Sequence, residues 1–477
     1  MSTFSGLSTA LSSLTTQRQA LEIAGQNIAN VNTVGYTRQR LDTASVGAGQ
    51  GATLFSQGSL IGNGVQATGV SRLGDLFMDA RVRTTTSSAS YLAARTDAYK
   101  RLESTIAEPG DNGISKQLDD FWATWQDMVA SPGSAAVGQV LLEGANSVQR
   151  SIATGYSAVV TQWDQTRSKA DMLVSDINSA ASAVAELNEK IRSISVSGGN
   201  ANELIDQRNL LTTSLSALAG TTVRNREDGT VDVNLAGNPL VSGVTANKIK
   251  LVGSTEMLGA TGTDADPVRV EWDRVPAGTP AALEGGELAG ALSVLAPYND
   301  QGTGGLLAQA AQSYNALADK LRDTVNAIHN IPVASGGTGV DFFSIDAGSP
   351  AALGLRVAIT DTTQIVTGDP AKGAKDSSIA DKISQIGESK DSPDTVWSTF
   401  VVATGVKAKA ALQSATVSEA ARMTAESLQL SQTAVDQDEE SINLLSFQRA
   451  YQGAARVMTT IDEMLDQLIN RTGVVGR

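Results

Sequence analysis

The sequence predicts a mainly α fold with β insertions: a discontinuous multi-domain chain with terminal coiled-coil helices, a long-helix bundle and small outward β-rich domains. Three observations predict it. Apolar residues recur at steps of three and four at both ends of the chain. An unbroken helical period runs from about Ala135 to Val196. Between the helical tracts the period changes to two, as at Val231, Val233 and Leu235.

Taken in order, Phe4, Leu7, Leu11 and Leu14 begin a heptad-like stripe that Leu21 and Ile28 continue across Arg18 and Gly25. Asn27, Asn30, Asn32, Thr33 and Gly35 then stop the helix near Asn30, because their side chains bond their own backbone or tolerate positive φ. Residues 41–75 read as short strands or an extended connector, with Val65, Ala67 and Val70 alternating. A helix is expected to open near Ser88 and to end at Pro109-Gly110. A second, with Leu118, Phe121, Trp122, Trp125, Met128 and Val129 on one face, ends at Pro132-Gly133. The long helix carries Leu173, Ile177, Ala180, Val184, Leu187, Ile191 and Ile194, breaks at Gly198-Gly199, and is followed by a helix from Leu204 to Leu218.

Asp228-Gly229 ahead of the alternating run predicts a hairpin with a type I′ turn. A further helix spans about 306–331. The last helical tract runs from near Val396 to about Arg471, with a break expected over Asp436–Ser441, where the stripe jumps from Ile442 to Leu444. Beyond the jump, Leu444, Phe447, Tyr451, Ala454, Met458, Ile461, Leu465 and Leu468 form an unbroken seam. This order brings the ends together and pushes the middle outward. The expected domains are 1–40 with 436–477 (terminal coiled coil), 41–220 with 301–331 and 395–435 (helical bundle), 221–300 (β-rich, outer), and 332–394 (irregular or β-rich insertion).

The 477 residues include no cysteine and a single histidine, which exclude disulfide frameworks, HExxH zinc sites and Cys-based redox chemistry. A net charge of -14 argues against nucleic acid and anionic membrane as main partners. No stretch of about 18 apolar residues predicts a membrane span. The start, without a basic residue before Arg18, is not expected to be a cleaved secretory signal.

His329, at a helix end, reads as a capping or surface residue. The acidic run Asp436, Asp438, Glu439 and Glu440 reads as a helix start favoured by the helix dipole rather than as a metal site. Residues 228–234 lack the Gly and Glu of a calcium loop. Gly58, Gly62, Gly64 and Gly69 lack the spacing of a phosphate cradle. No catalytic, cofactor-binding or metal-binding residue is expected. The terminal seams are expected to order fully only when neighbouring copies bury their outer faces.

The segment Ala29-Asn30-Val31-Asn32-Thr33-Val34-Gly35-Tyr36-Thr37-Arg38-Gln39 resembles the signature shared by bacterial flagellar rod, hook and hook-associated proteins. Its motif residues are Asn30, Asn32, Thr33, Gly35, Tyr36, Arg38 and Gln39. Tyr36, where rod and hook proteins usually carry Phe, is most similar to the hook-associated branch. Matching runs are Gly62-Asn63-Gly64-Val65, Ile177-Asn178 through Leu187-Asn188, Asn202 to Arg208, and Phe447-Gln448-Arg449-Ala450-Tyr451-Gln452 through Asn470. Asn209, and Ala434-Val435-Asp436, depart from the pattern.

The resemblance implies a structural protein, not an enzyme and without a cofactor. It would be exported unfolded through the flagellar type III apparatus and assembled as a ring at the hook–filament junction. Its implied partners are copies of itself, the flagellar hook protein, hook-associated protein 3 and a cytoplasmic export chaperone. The alternative is a secreted enzyme or adhesin displayed on such a scaffold, against which the single histidine speaks for metalloproteases.

Overall fold

The computed structural model describes residues 3–471 except 48–61, 263, 275, 277, 300, 302–303, 332–338 and 374; Gly58 and the start of the 332–394 insertion therefore lie outside the described residues. The chain opens with α1 (Thr3–Ala29), followed by the antiparallel strands β1 (Gln39–Ser45) and β2 (Val65–Arg72), with Gln39 opposite Arg72. Three more helices and a fourth of exceptional length follow: α2 (Leu76–Ile106), α3 (Ile114–Ala130), α4 (Ala135–Val196) and α5 (Asn202–Ala219).

Helix α2 begins well before the expected Ser88. Asp75 caps it, accepting hydrogen bonds from the amides of Phe77 at 2.7 Å and Met78 at 3.4 Å. The Thr and Ser run ahead of Ser88 is helical as well, and Thr84 and Thr85 donate their hydroxyls to the carbonyls of Ala80 and Arg81 instead of bonding their backbone in a turn.

The β-rich part comprises β3 (Thr222–Asn225), β4 (Val231–Leu235), β5 (Asn238–Ser242), β6 (Thr245–Ala246), β7 (Ile249–Val252), the short α6 (Met257–Thr261) and β8 (Arg269–Trp272). β3 to β6 form one antiparallel sheet in chain order, and β7 pairs with β8. The Asp228-Gly229 hairpin forms, but not with a type I′ turn. Arg226 and Thr230 close a longer loop in which Gly229 alone takes positive φ, of 81°. The two-residue turn with positive φ at both positions is Ala236-Gly237, between β4 and β5.

The chain continues through α7 (Gly286–Leu295), α8 (Leu306–His329), β9 (Phe343–Ile345), α9 (Ala351–Gly354), β10 (Leu355–Val357) and α10 (Ser378–Ser384) to α11 (Pro393–Thr433) and α12 (Gln437–Asp466). The break between the last two falls at Ala434–Asp436, just before the expected span. Asp436 caps α12, accepting from the amides of Asp438 and Glu439.

The body is a layered helical bundle: α2 packs along α11, α5 and α7, and α4 packs along α3, α5, α7 and α8. Its core is aromatic where α3, α8 and the β9 segment meet, with the rings of Trp125 and Phe342 5.4 Å apart. His329 belongs to this core and is neither surface nor cap. It is fully buried, with Nδ1 2.8 Å from the Val340 carbonyl while Nε2 accepts the Val366 amide at 3.0 Å. Those partners fix the proton on Nδ1, and burial pushes the ring's pKa down.

Asparagine amides seat the strands on the helices. Asn188 of α4, fully buried, donates to the carbonyls of Val231 and Gly243 and accepts from the Val231 amide. Three helical turns earlier, Asn178 brackets Ile249 in the same way, and Asn326 of α8 brackets Phe342 and Phe343. The arrangement satisfies strand edges that would otherwise be buried without partners.

Candidate assembly site

Helices α1 and α12 form an antiparallel pair outside the body. A methyl group on Gly6 would fall 3.1 Å from Ile461 Cδ1, whereas the other end of α1 lies beside Glu440 and Phe447. The buried positions of α1 are small or polar: Ala10, Thr16, Ala20, Ala24 and Asn27. Small residues let the helix backbones approach closely, so the contact rests on close packing rather than on large side chains.

Of the apolar positions read from the sequence, Leu7, Leu14, Leu21, Ile28, Leu444, Phe447, Ala454, Met458, Ile461 and Leu465 are half-buried. Leu11 is 55% exposed, Tyr451 and Leu468 are also exposed, and the side chain of Phe4 lies outside the described residues. Periodicity therefore located the helix faces, while the residues fully buried on α1 are the small ones between the large ones. Ile442, at 67% exposure, together with Leu445, Val457 and Met464, leaves α12 with a second, outward apolar face.

The pair is anchored to the body by the motif at residues 30–39. The loop begins with Asn30, whose Oδ1 accepts the Thr33 hydroxyl at 3.1 Å, and Asn32 and Thr33 are exposed. Gly35 takes φ of 80° and lies against Leu210, where a Cβ would come within 2.6 Å. Only glycine satisfies both conditions. Tyr36 donates its hydroxyl to Asn27 Oδ1 at 2.9 Å, and Asn27 also accepts the Gln39 amide and donates to the Gln39 carbonyl. Burial, aided by the nearby charges of Asp206, Glu203 and Glu440, pushes the Tyr36 hydroxyl up to about 12.

Contacts of long sequence separation from Thr37, Arg38 and Gln39 lock this loop. The Thr37 amide donates to Asp206 of α5 at 3.1 Å, and Arg72 of β2 donates to the same carboxylate through Nε at 2.8 Å. Arg38 donates to Glu440 at 2.7 Å and in fork geometry to Glu439, while its amide reaches the Thr433 carbonyl at 2.9 Å. Gln39 accepts from Asn202 at 3.1 Å. The acidic run at the start of α12 thus serves as the partner of Arg38 as well as the complement of the helix dipole. Among the described residues, no group of three His, Asp or Glu side chains could hold a metal ion.

The motif residues were visible in the sequence, but of their partners Arg72 and Asp206 carried no assigned role, Asn27 read only as part of the helix stop, and Glu439 and Glu440 only as a helix start. Asp206 and Asn188 stood in runs noted only for their resemblance. Their ten-to-four-hundred-residue reach is set by tertiary structure and leaves no local pattern.

The model of the flagellar hook-associated protein FlgK helical domain matches residues 99–343, more than half of the chain. Those of the flagella basal body rod protein and of the flagellar basal body rod FlgEFG protein C-terminal region match residues 7–37 and 427–471, the two ends that pair here. Flagellar hook-associated protein 1 of Bacillus subtilis is 27% identical over 521 residues, covering 100% of both chains. That of Escherichia coli is 28% identical over 379 residues, covering 76% of this chain and 65% of the relative. The solved structure of the flagellar hook junction protein FlgK from Burkholderia pseudomallei is similar with a TM-score of 0.48 at 24% identity, over 56% of this chain and 47% of that one.

Proposed function

The chain belongs to the family of the flagellar hook-associated protein FlgK, and from that premise we propose that it is a structural component of the flagellum that forms the junction between hook and filament by self-assembly through its terminal helices. One observation carries the reading: the α1–α12 pair keeps an outward apolar face, including Leu11, Ile442, Leu445, Val457 and Leu468, that a single subunit leaves exposed. Neighbouring copies arranged as a ring bury it, and the hydrophobic gain of that burial drives assembly.

The remaining parts follow from the same reading. The terminal coiled-coil domain (1–40 with 436–477) lines the axis, the helical bundle (41–220 with 301–331 and 395–435) meets neighbours, and the β-rich regions 221–300 and 332–394 face outward. The motif at 30–39 fixes the angle of the terminal pair against the bundle. The hook protein lies below and hook-associated protein 3 above, after export through the type III apparatus with a cytoplasmic chaperone holding α12. The protein works by joining, not by catalysis.

Cells lacking this chain test the reading. Hooks without attached filaments are expected; filaments retained at normal number on such hooks would overturn it.

A further inference from the structure

Residues 359–366 cross the body as a strap pinned at both ends. Upstream, the Ala358 amide donates to the Phe342 carbonyl at 2.8 Å, and downstream the Thr367 carbonyl receives the amides of Ile379 and Ala380 of α10. Between these anchors Ile359 and Ile365 are buried, and the strap lies so close over the start of α4 that a Cβ on Gly138 would fall 2.9 Å from Thr362 Cγ2. Its turn is closed by its own groups, the Thr363 amide donating to Asp361 and Gln364 receiving the amides of Thr360 and Asp361. Among the described residues, one hydrogen bond ties residues 359–366 to the rest of the chain, from the Val366 amide to Nε2 of His329 at 3.0 Å.

That tie exists in one protonation state of the ring. The neutral ring, with its proton on Nδ1, donates to the Val340 carbonyl at 2.8 Å and leaves the Nε2 lone pair for Val366. In the charged ring both nitrogens donate, so an N–H at Nε2 would confront the Val366 N–H. A charged His329 and a closed strap therefore exclude each other.

The surroundings set which form prevails. Trp125 of α3 and Phe342 flank the ring, with centroids 6.2 and 5.4 Å away, and carry no charge. The acids of α3, Asp119, Asp120 and Asp127, are exposed, as is Asp361 of the strap, and on α8 the nearest charges in sequence, Arg322 and Asp323, pair with each other. Residues 332–338, which follow α8, contain no titratable side chain. Asp341, held by Asn330 at 2.6 Å, and the C-terminal end of α8 both favour the charged ring. Burial opposes them and prevails, pushing the pKa of the ring down.

We infer that His329 is a proton-operated latch, whose protonation at Nε2 releases the strap 359–366 while the helical bundle stays folded. Opening uncovers Ile365 and the start of α4 around Gly138, an apolar surface that the closed protein withholds. Once the strap lifts, the ring meets water and takes its ordinary pKa of about 6.5. Opening then takes up one proton, so below that pH the ratio of open to closed rises by up to about tenfold per pH unit, and above it the ratio is independent of pH. The latch does not depend on the assembly reading above.

The single histidine makes the test direct. The full-length chain, labelled with nitrogen-15 in its histidine ring, reports tautomer and charge by nuclear magnetic resonance, while deuterium exchange, expressed as protection factors, follows peptides of 359–367 and of α4 from about pH 7.5 to about pH 5. The expected result is a neutral ring with its proton on Nδ1 at the upper end, strap protection that falls by up to about tenfold per unit below about pH 6.5, and α4 protection that holds. In His329→Gln, strap protection should be independent of pH. A ring already charged at the upper end, or protonated on Nε2 alone, would overturn the inference. So would strap protection that stays constant down to the lower end, loss of α4 protection in step with the strap, or an equal acid response in H329Q. Should H329Q not fold, the wild-type data decide alone: ring charging that coincides with strap opening supports the latch, and either event without the other overturns it.

Discussion

Asp206 is the acceptor on which the joint turns, and its removal gives the sharpest structural prediction. Its carboxylate receives the Thr37 amide and the Arg72 guanidinium, with side-chain exposures of 7% for Asp206 and 16% for Arg72. Removing one partner from so buried a pair costs about 3–5 kcal/mol, because the other charge is left without compensation. Arg72 is not wholly dry and retains the Thr37 hydroxyl at 2.9 Å, so the low end, about 3 kcal/mol, applies to Asp206→Ala. Amides of residues 37–45 should then exchange with deuterium about 100-fold faster than in wild type, while those of α4 keep their rate. Asp206→Asn keeps an oxygen for the Thr37 amide and should cost about 1–2 kcal/mol. The double change Arg72→Met with Asp206→Leu should restore much of the protection, since an apolar pair leaves no stranded charge. Unchanged exchange in D206A, or a double variant as open as D206A, would refute the reasoning.

Other expectations concern separate parts of the chain. Ile461→Asp sets a carboxylate against Gly6 on the α1–α12 seam, and the variant should be exported yet fail to enter hook–filament particles; normal incorporation would show that the seam is not needed. His329 has a folded pKa below the ordinary value of about 6.5, so the unfolded chain binds the proton first on acidification. Its contribution to stability is complete above about pH 6.5 and is lost as pH falls through that value, with a slope of at most about 1.4 kcal/mol per pH unit. Denaturant titrations of wild type and His329→Gln should therefore converge on acidification, and parallel curves would count against burial of the ring in its neutral form. Asn188→Ala removes the bracket on Val231 and leaves buried strand groups unpaired, at a cost of about 2–3 kcal/mol. Proteolysis should cut the 222–246 sheet of this variant before the helices, and an unaltered cleavage order would argue against it.

Periodicity carried much of the fold. The long helix α4 follows the uninterrupted pattern from Ala135 to Val196, and α8 and α12 follow from their stripes in the same manner. Patterning failed where local chemistry replaced it. Helix α2 opens at Asp75 through a cap and crosses a Thr and Ser run that bonds back on itself, so no apolar period announced it. The fully buried positions of α1 went unnoticed for a related reason, since Ala20 and Ala24 are too small to register as a stripe. His329 gave no sign of burial, because its two backbone partners come from the segment 340–366 beyond its helix. The motif at 30–39 could be recognised but not explained from the sequence. Its meaning lies in Asp206, Glu439 and Glu440, which only the folded chain brings to it.

The central claim, that the terminal pair is an assembly element held at a fixed angle by the motif, is tested most directly by electron cryomicroscopy of purified hook–filament particles with this chain in place. The account predicts a ring at the hook tip in which the outward faces of α1 and α12, with Leu11, Ile442, Leu445 and Val457, are buried against neighbouring copies around the axis. Terminal pairs pointing into solvent, with copies joined only through the β-rich regions, would contradict it.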